Sequence, residues 1–119
     1  MVIFALMKTS NIDSDRPRPL ADHDDLEPLD MSGFSHSFIS GSHNEDRLDF
    51  QYYFCALEQT LYADVFLGTR AMGPPDMAHG GCMAGILDET MGILPWVLGH
   101  PVVTVTLSVN MRKMIPLHT

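Results

Sequence analysis

The stretch "AHGGCMAGILDETMGILPWV", residues 78–97, decides the fold. Met83, Ile86, Leu87, Met91 and Leu94 recur at intervals of three and four, the spacing of one apolar helical face. Gly80 to about Leu94 therefore reads as a helix, which Pro95 should kink or end. Gly99, in the "LGHP" that follows, is the expected C-cap. Two features set this helix apart from an ordinary core helix. A histidine and two glycines stand at its entrance, and adjacent carboxylates, Asp88 and Glu89, interrupt its apolar run.

The neighbouring segments have the other period. In "LDFQYYFCA", residues 48–56, Leu48, Phe50, Tyr52, Phe54 and Ala56 share one parity while Asp49 and Gln51 take the other. That alternation is the pattern of a half-buried strand. After the polar turn "LEQT" it returns in Leu61, Ala63, Val65 and Leu67, so the pair reads as a hairpin. "GTRAMGPPDMA", residues 68–78, is rich in Gly and Pro and reads as a loop leading to the helix. "VVTVTLSVNM", residues 102–111, alternates strictly and predicts one further strand after the helix. Residues 1–47 mix Asp, Pro, Ser and Gly without sustained periodicity. They are expected to form a poorly ordered acidic leader, in which His23, His36 and His43 are solvated loop residues. Order is expected to begin near Leu48, so residues 48–119 constitute the domain.

Composition narrows the range of functions. The 119 residues suit one domain, and 15 acidic against 7 basic side chains give a net charge of −8. Such a charge opposes binding to nucleic acid or to an anionic membrane surface. No apolar run approaches the roughly 20 residues of a membrane span. The opening "MVIFALM" lacks the basic flank and cleavage site of a secretory signal. Cys55 and Cys82 are expected to be free thiols of a reducing compartment.

The chemistry centres on two places along the helix. A helix starting at Gly80 or Gly81 leaves its first amide N–H groups unpaired, and with the helix dipole they can receive an oxygen that gains negative charge during a reaction. The ordinary role of "HGG" is simply to turn the chain into the helix. Asp88 has Ala84, Gly85, Met91 and Gly92 as its helical neighbours, so its carboxylate stands in a depression that a substrate could enter. Glu89 also has Gly85 and Gly92 beside it. The helical wheel does not choose between the two acids, and an exposed face or a salt bridge is the ordinary role for Glu89. At about 1.5 Å rise per residue, the helix entrance and Asp88 lie roughly 12 Å apart, too far to touch one reacting carbonyl. Two copies with antiparallel helices could bring them together across a two-fold axis, which predicts a homodimer.

"GPPDMAHGGCMAGILDETMG", followed by "VVTVTLSVNMRKMIPL", resembles the hotdog-fold acyl-CoA thioesterases, especially the animal group known as thioesterase superfamily members 4 and 5. The resemblance covers about residues 48–117 and rests on GPP, AHGG, the LDE-type carboxylate and a threonine in the post-helix segment. It implies an α+β fold in which an antiparallel sheet wraps a long central helix, here in a partial version with hairpin, helix and one following strand. It also implies hydrolysis of a fatty acyl-CoA, of medium to long chain, to free acid and CoA, with no cofactor and no metal. Asp88 would be the nucleophile or general base, the Gly80 amide would polarise the thioester carbonyl, His79 would stand beside it, and Thr104 would position water or the intermediate. Gly81, Gly73 and Glu89 would complete the substrate contacts.

Departures from the family pattern accompany the resemblance. Gly73 occupies a position where several related enzymes carry a polar Asn or Gln. Asp76 stands where the nearest relatives usually have glycine. The later strands of the hotdog sheet are lacking, so the sequence reads as a C-terminally truncated version. A second reading follows from this: an inactive remnant that binds acyl-CoA or a partner chain. A third takes Cys82, in the first helical turn, as a nucleophile beside His79. The acidic leader is unlike an Arg-rich transit peptide, so the expected compartment is the cytoplasm, with mitochondria as the alternative.

Overall fold

The alternating segments pair as a hairpin. In the computed structural model, which describes residues 5–9, 24–41 and 46–118, strand β3 (Leu48–Cys55) runs antiparallel to β4 (Thr60–Leu67), with Leu48 opposite Leu67, Phe50 opposite Val65 and Tyr52 opposite Ala63. Leu61, Ala63, Val65 and Leu67 are all buried, so the alternation in β4 separates core from surface as the pattern implies. β3 departs from strict alternation at its end, where Tyr53 and Cys55 are buried as well. The reason lies outside the hairpin: β2 (Glu27–Pro28) pairs antiparallel with Phe54 and Tyr53. Leu29 extends that pairing by donating its N–H to the Tyr52 carbonyl at 2.9 Å.

The sheet has four strands in the order β1-β4-β3-β2, in which β1 (Ala5–Thr9) lies parallel to β4. Helix α1 (Gly80–Val97) completes an α+β arrangement that matches part of the hotdog pattern. Met83, Ile86, Ile93 and Leu94 of the helix join Phe50, Tyr52, Leu61, Ala63 and Val65 in one core. The buried stripe is not quite the one the spacing suggests. Thr90 is buried, its hydroxyl donating to the Ile86 carbonyl at 2.8 Å, while Met91 is exposed. Thr90 can occupy a core position because that bond pairs its only polar group within the helix.

Pro95 neither ends nor interrupts α1 at its own position: the helix continues to Val97. It then closes with the Gly99 N–H on the Trp96 carbonyl at 3.1 Å and the His100 N–H on the Pro95 carbonyl at 2.8 Å. Gly99 has φ +82°, so this is a Schellman cap built on a left-handed residue. The cap is where the sequence places it.

Two expectations are corrected. The segment from Glu27 to Gly41, assigned to a poorly ordered leader, includes β2 and a 3-10 turn at Ser32–Phe34, and it packs on the helix and sheet. β1 likewise falls within the expected leader. His36 is exposed, and His23 and His43 lie outside the described residues. The second correction is the strand predicted after the helix. Residues 102–111 form none, and Val103 and Val105 are 84% and 93% exposed. Alternation makes a strand only where an edge offers unpaired backbone groups. This segment instead runs back along α1, held near Trp96 and Asp88, and reaches the helix entrance at Ile115, whose carbonyl accepts from the Ala78 N–H at 2.8 Å.

Candidate active site

The helix entrance is built around His79, which is the N-cap of α1. Its Nδ1 accepts from the Gly81 N–H at 2.9 Å, its carbonyl accepts from Met83, and its own N–H donates to the Ala71 carbonyl at 2.8 Å. With Nδ1 accepting, a neutral His79 carries its proton on Nε2. Gly81 therefore spends its amide on the cap and is not available to a substrate in this conformation. Gly73 has a backbone role here: a Cβ at that position would lie 2.8 Å from the His79 Cα, so the GPP loop can cross the helix entrance only with glycine. A Cβ on Gly80 would meet nothing within 4 Å, so the space in front of that residue is open. Asp76 adopts φ +62° while its carbonyl accepts from Leu117. A left-handed residue at this place is one that glycine adopts freely and aspartate tolerates.

Two turns along the helix stands the second group. Asp88 is half-buried, and its Oδ1 accepts a hydrogen bond from the Thr104 Oγ1 at 2.6 Å. The residues lie 16 apart in sequence, and the returning segment brings them together. Trp96 fixes that segment by donating its indole N–H to the Val102 carbonyl at 3.0 Å. Asp88 and Thr104 face a cavity of about 520 Å³, whose apolar wall includes Phe34, Ile93 and Trp96. A carboxylate held by a hydroxyl beside an apolar chamber can orient water, or attack a carbonyl held there.

Glu89 is half-buried rather than on an exposed face. Ser37 and Ser40 both donate their hydroxyls to its Oε1, so Glu89 ties the segment before β3 to the helix. Ile39 reinforces the tie by packing close over Gly85, where a Cβ would meet its Cδ1 at 2.8 Å. Glu89 still lines the cavity beside Asp88, but its carboxylate is partly committed to the two serines. The Tyr52 hydroxyl is buried, and burial pushes its phenol well above the usual range, an effect that the nearby Thr90 and Ser40 hydroxyls offset only in part.

His79 and Gly81 line a separate cavity of about 380 Å³, together with Arg47, Arg70 and Cys82. Within one chain, then, the helix entrance and Asp88 serve different chambers. Burial raises the Cys82 thiol above its ordinary value, with Arg47 offsetting part of the effect, the reverse of what an activated thiol needs. Both cysteines are free. No group of three metal-ligating side chains occurs among the described residues. Ser37, Ser40 and the two arginines escaped the sequence reading because nothing local marks them: Ser37 and Glu89 are 52 positions apart.

No family model matches the chain. Curated proteins do. The chain is 35% identical over 49 residues to the acyl-coenzyme A thioesterase THEM5 of Homo sapiens, a match covering 41% of this chain and 20% of that protein. It is 32% identical over 76 residues to the acyl-coenzyme A thioesterase THEM4 of Xenopus laevis, covering 62% of this chain and 34% of that protein. The matched parts thus amount to between a fifth and about a third of these relatives' lengths. Over those stretches the chain is similar to acyl-coenzyme A thioesterases, the family that its GPP, AHGG and LDE motifs resemble.

Proposed function

We propose that this chain carries the chemistry of an acyl-CoA thioester hydrolase, with Asp88 as its reacting carboxylate. The observation that supports this best is the 2.6 Å contact between Thr104 and Asp88 at the edge of a chamber with an apolar wall. In this reading an acyl chain of medium to long length occupies the side of Phe34, Ile93 and Trp96. Asp88 takes a proton from a water that attacks the thioester carbon, or itself attacks that carbon to give an acyl anhydride that a water then hydrolyses, while Thr104 holds its orientation. A C–O bond forms, the C–S bond breaks, and the thiol of CoA leaves with a proton.

The growing negative charge on the carbonyl oxygen needs a donor that Asp88 cannot be. The Gly80 amide supplies it, with His79 and Gly81 shaping the entrance and Gly73 allowing the loop to pass. These groups stand roughly 12 Å from Asp88 along one helix. The reading therefore pairs two copies, each giving its helix entrance to the other's carboxylate, and needs no metal or cofactor. The expected compartment is the cytoplasm, with mitochondria as the alternative; no described helix is long and apolar enough to cross a membrane.

The test is release of free thiol from a long-chain acyl-CoA. The wild-type protein should hydrolyse it and Asp88→Asn should lose at least about a hundredfold in kcat, with unchanged thermal stability. Equal rates in the two proteins would refute the assignment. A second reading is favoured by one observation, the exposed Val103 and Val105 of the unpaired post-helix segment. There the chain binds acyl-CoA or a partner without cleaving. Tight acyl-CoA binding with no thiol release from the wild type would select it.

A further inference from the structure

Adjacent carboxylates on α1 hold two different segments against the larger chamber. Asp88 accepts from Thr104 of the returning segment, and Glu89 accepts from Ser37 and Ser40 of the segment before β3. Both segments supply wall: Val102 and Thr104 from the first, Gly33, Phe34 and Ser37 from the second. The second is a strap with turns of its own. Its Phe34 N–H donates to the Met31 carbonyl at 2.9 Å, its Ser37 N–H to the Phe34 carbonyl at 2.9 Å, and its Gly41 N–H to the Ser37 carbonyl at 3.0 Å. A Cβ on Gly41 would run into the Ser37 and Ser35 carbonyls, so the last turn closes only with glycine. Phe34 is therefore carried by the same run of turns that carries Ser37 and Ser40. The strap precedes residue 48, outside the stretch that resembles the thioesterases.

Two hydroxyls converge on one carboxylate oxygen of Glu89. Hydrogen bonds to an ionised acceptor are about twice as strong as neutral ones, and here Ser40 is only 6% exposed, so water competes weakly for the contact. We propose that Glu89 is a positioning residue that sets substrate selectivity: by latching the strap through Ser37 and Ser40 it seats Phe34 as chamber wall and favours substrates with a long apolar chain. This deepens the proposed function and rests on it for the identity of the substrate. With the strap latched, an alkyl chain meets Phe34 as well as Ile93 and Trp96. Unlatched, that wall is lost, and affinity falls with the fraction of chains in which the strap is closed. The reacting carboxylate is left in place, because Asp88 is held by Thr104 on a different segment.

1-Decanol, a neutral chain without CoA, tests the wall directly. Trp96 is the one tryptophan of the chain, is 48% exposed and lines the chamber, so its emission should shift to the blue as the alcohol covers it. The wild type should bind decanol, and Ser37→Ala with Ser40→Ala should weaken that binding about tenfold. Ser37→Thr, which keeps a hydroxyl, should bind as the wild type does. Glu89→Ala should also weaken binding, and its loss should not add to that of the serine pair, because both changes break the same contact. Glu89 itself lines the chamber, so the kinetic test substitutes the serines. The pair should raise KM for decanoyl-CoA about tenfold, leave KM for butyryl-CoA unchanged and leave kcat for both within about twofold. Slow amide exchange in β3 and β4 would confirm that the variants fold.

Decanol that binds the serine pair as tightly as the wild type, or that fails to bind the wild type, would overturn the proposal. So would additive losses from Glu89→Ala and the serine pair, or a fall in kcat that is the same for both chain lengths. These outcomes are separable from failure of the proposed function. Latch-dependent decanol binding by a protein that releases no thiol refutes hydrolysis alone. Thiol release whose chain-length preference ignores both serines refutes the latch alone.

Discussion

Asp88 is a member of the helix, yet the bond that orients it comes from a threonine on a returning segment. Thr104→Val keeps the shape and removes the donor. It should lower kcat for thioester hydrolysis about tenfold while leaving KM nearly unchanged, and Thr104→Ser should restore most of the loss. His79 carries two duties, a cap and a place beside the proposed carbonyl site. Replacing it with Ala removes the acceptor for Gly81 and should cost about 1 kcal/mol in denaturant unfolding. His79→Asn retains a capping oxygen, so it should recover stability without recovering the rate. Cys82 offers a check of the thiol alternative. Because burial raises its thiol, thiolate forms only at more alkaline pH than for a free cysteine, so alkylation should be slow at pH 7 and accelerate as pH rises. Hydrolysis surviving complete alkylation would remove Cys82 as nucleophile.

Helix α1 illustrates how far local pattern reaches. Its start and its glycine terminator follow from residues within a turn or two of each other and are as the sequence implies, whereas its length is not, since the helix runs past Pro95 to Val97. Its inner face is less legible: Thr90 takes a buried place, its hydroxyl bonded to the Ile86 carbonyl, and Met91 an exposed one. Gly99 is at φ +82°, so Gly99→Ala should destabilise the protein by about 1 kcal/mol, measurable as a lower denaturation midpoint. The segment from Ser32 to Gly41 was illegible for a different reason. It has no periodicity of its own and is ordered by partners elsewhere, two hydroxyls on Glu89 and one isoleucine against Gly85. Removing both hydroxyls, Ser37→Ala with Ser40→Ala, should speed amide hydrogen exchange in residues 32–41 while β3 and β4 stay protected.

The whole assembly poses the question of copy number. A single chain assigns the helix entrance and the carboxylate to separate cavities, and the proposed chemistry requires both at one carbonyl. Mass in solution should therefore be near twice the 13.2 kDa of one chain. Mixing Asp88→Asn with a variant blocked at the entrance, Gly80→Leu, should produce hybrid pairs with one intact site. Activity in the mixture, absent from either variant alone, is the expected result, and a strictly monomeric active protein would refute the shared site.

Short-range order was written into the chain: the period of two in residues 48–67, the period of three to four in residues 80–94, and the glycine at 99 each depend on neighbours a few positions away. Such patterns follow from backbone geometry, which fixes which residues share a face once the element has formed. Packing settled the remainder. It set Asp88 against Thr104 and Glu89 against two serines, although a helical wheel treats the adjacent acids alike. It also left "VVTVTLSVNM" unpaired, because alternation encodes a willingness to pair, and the pairing itself needs a free edge that folding brings within reach.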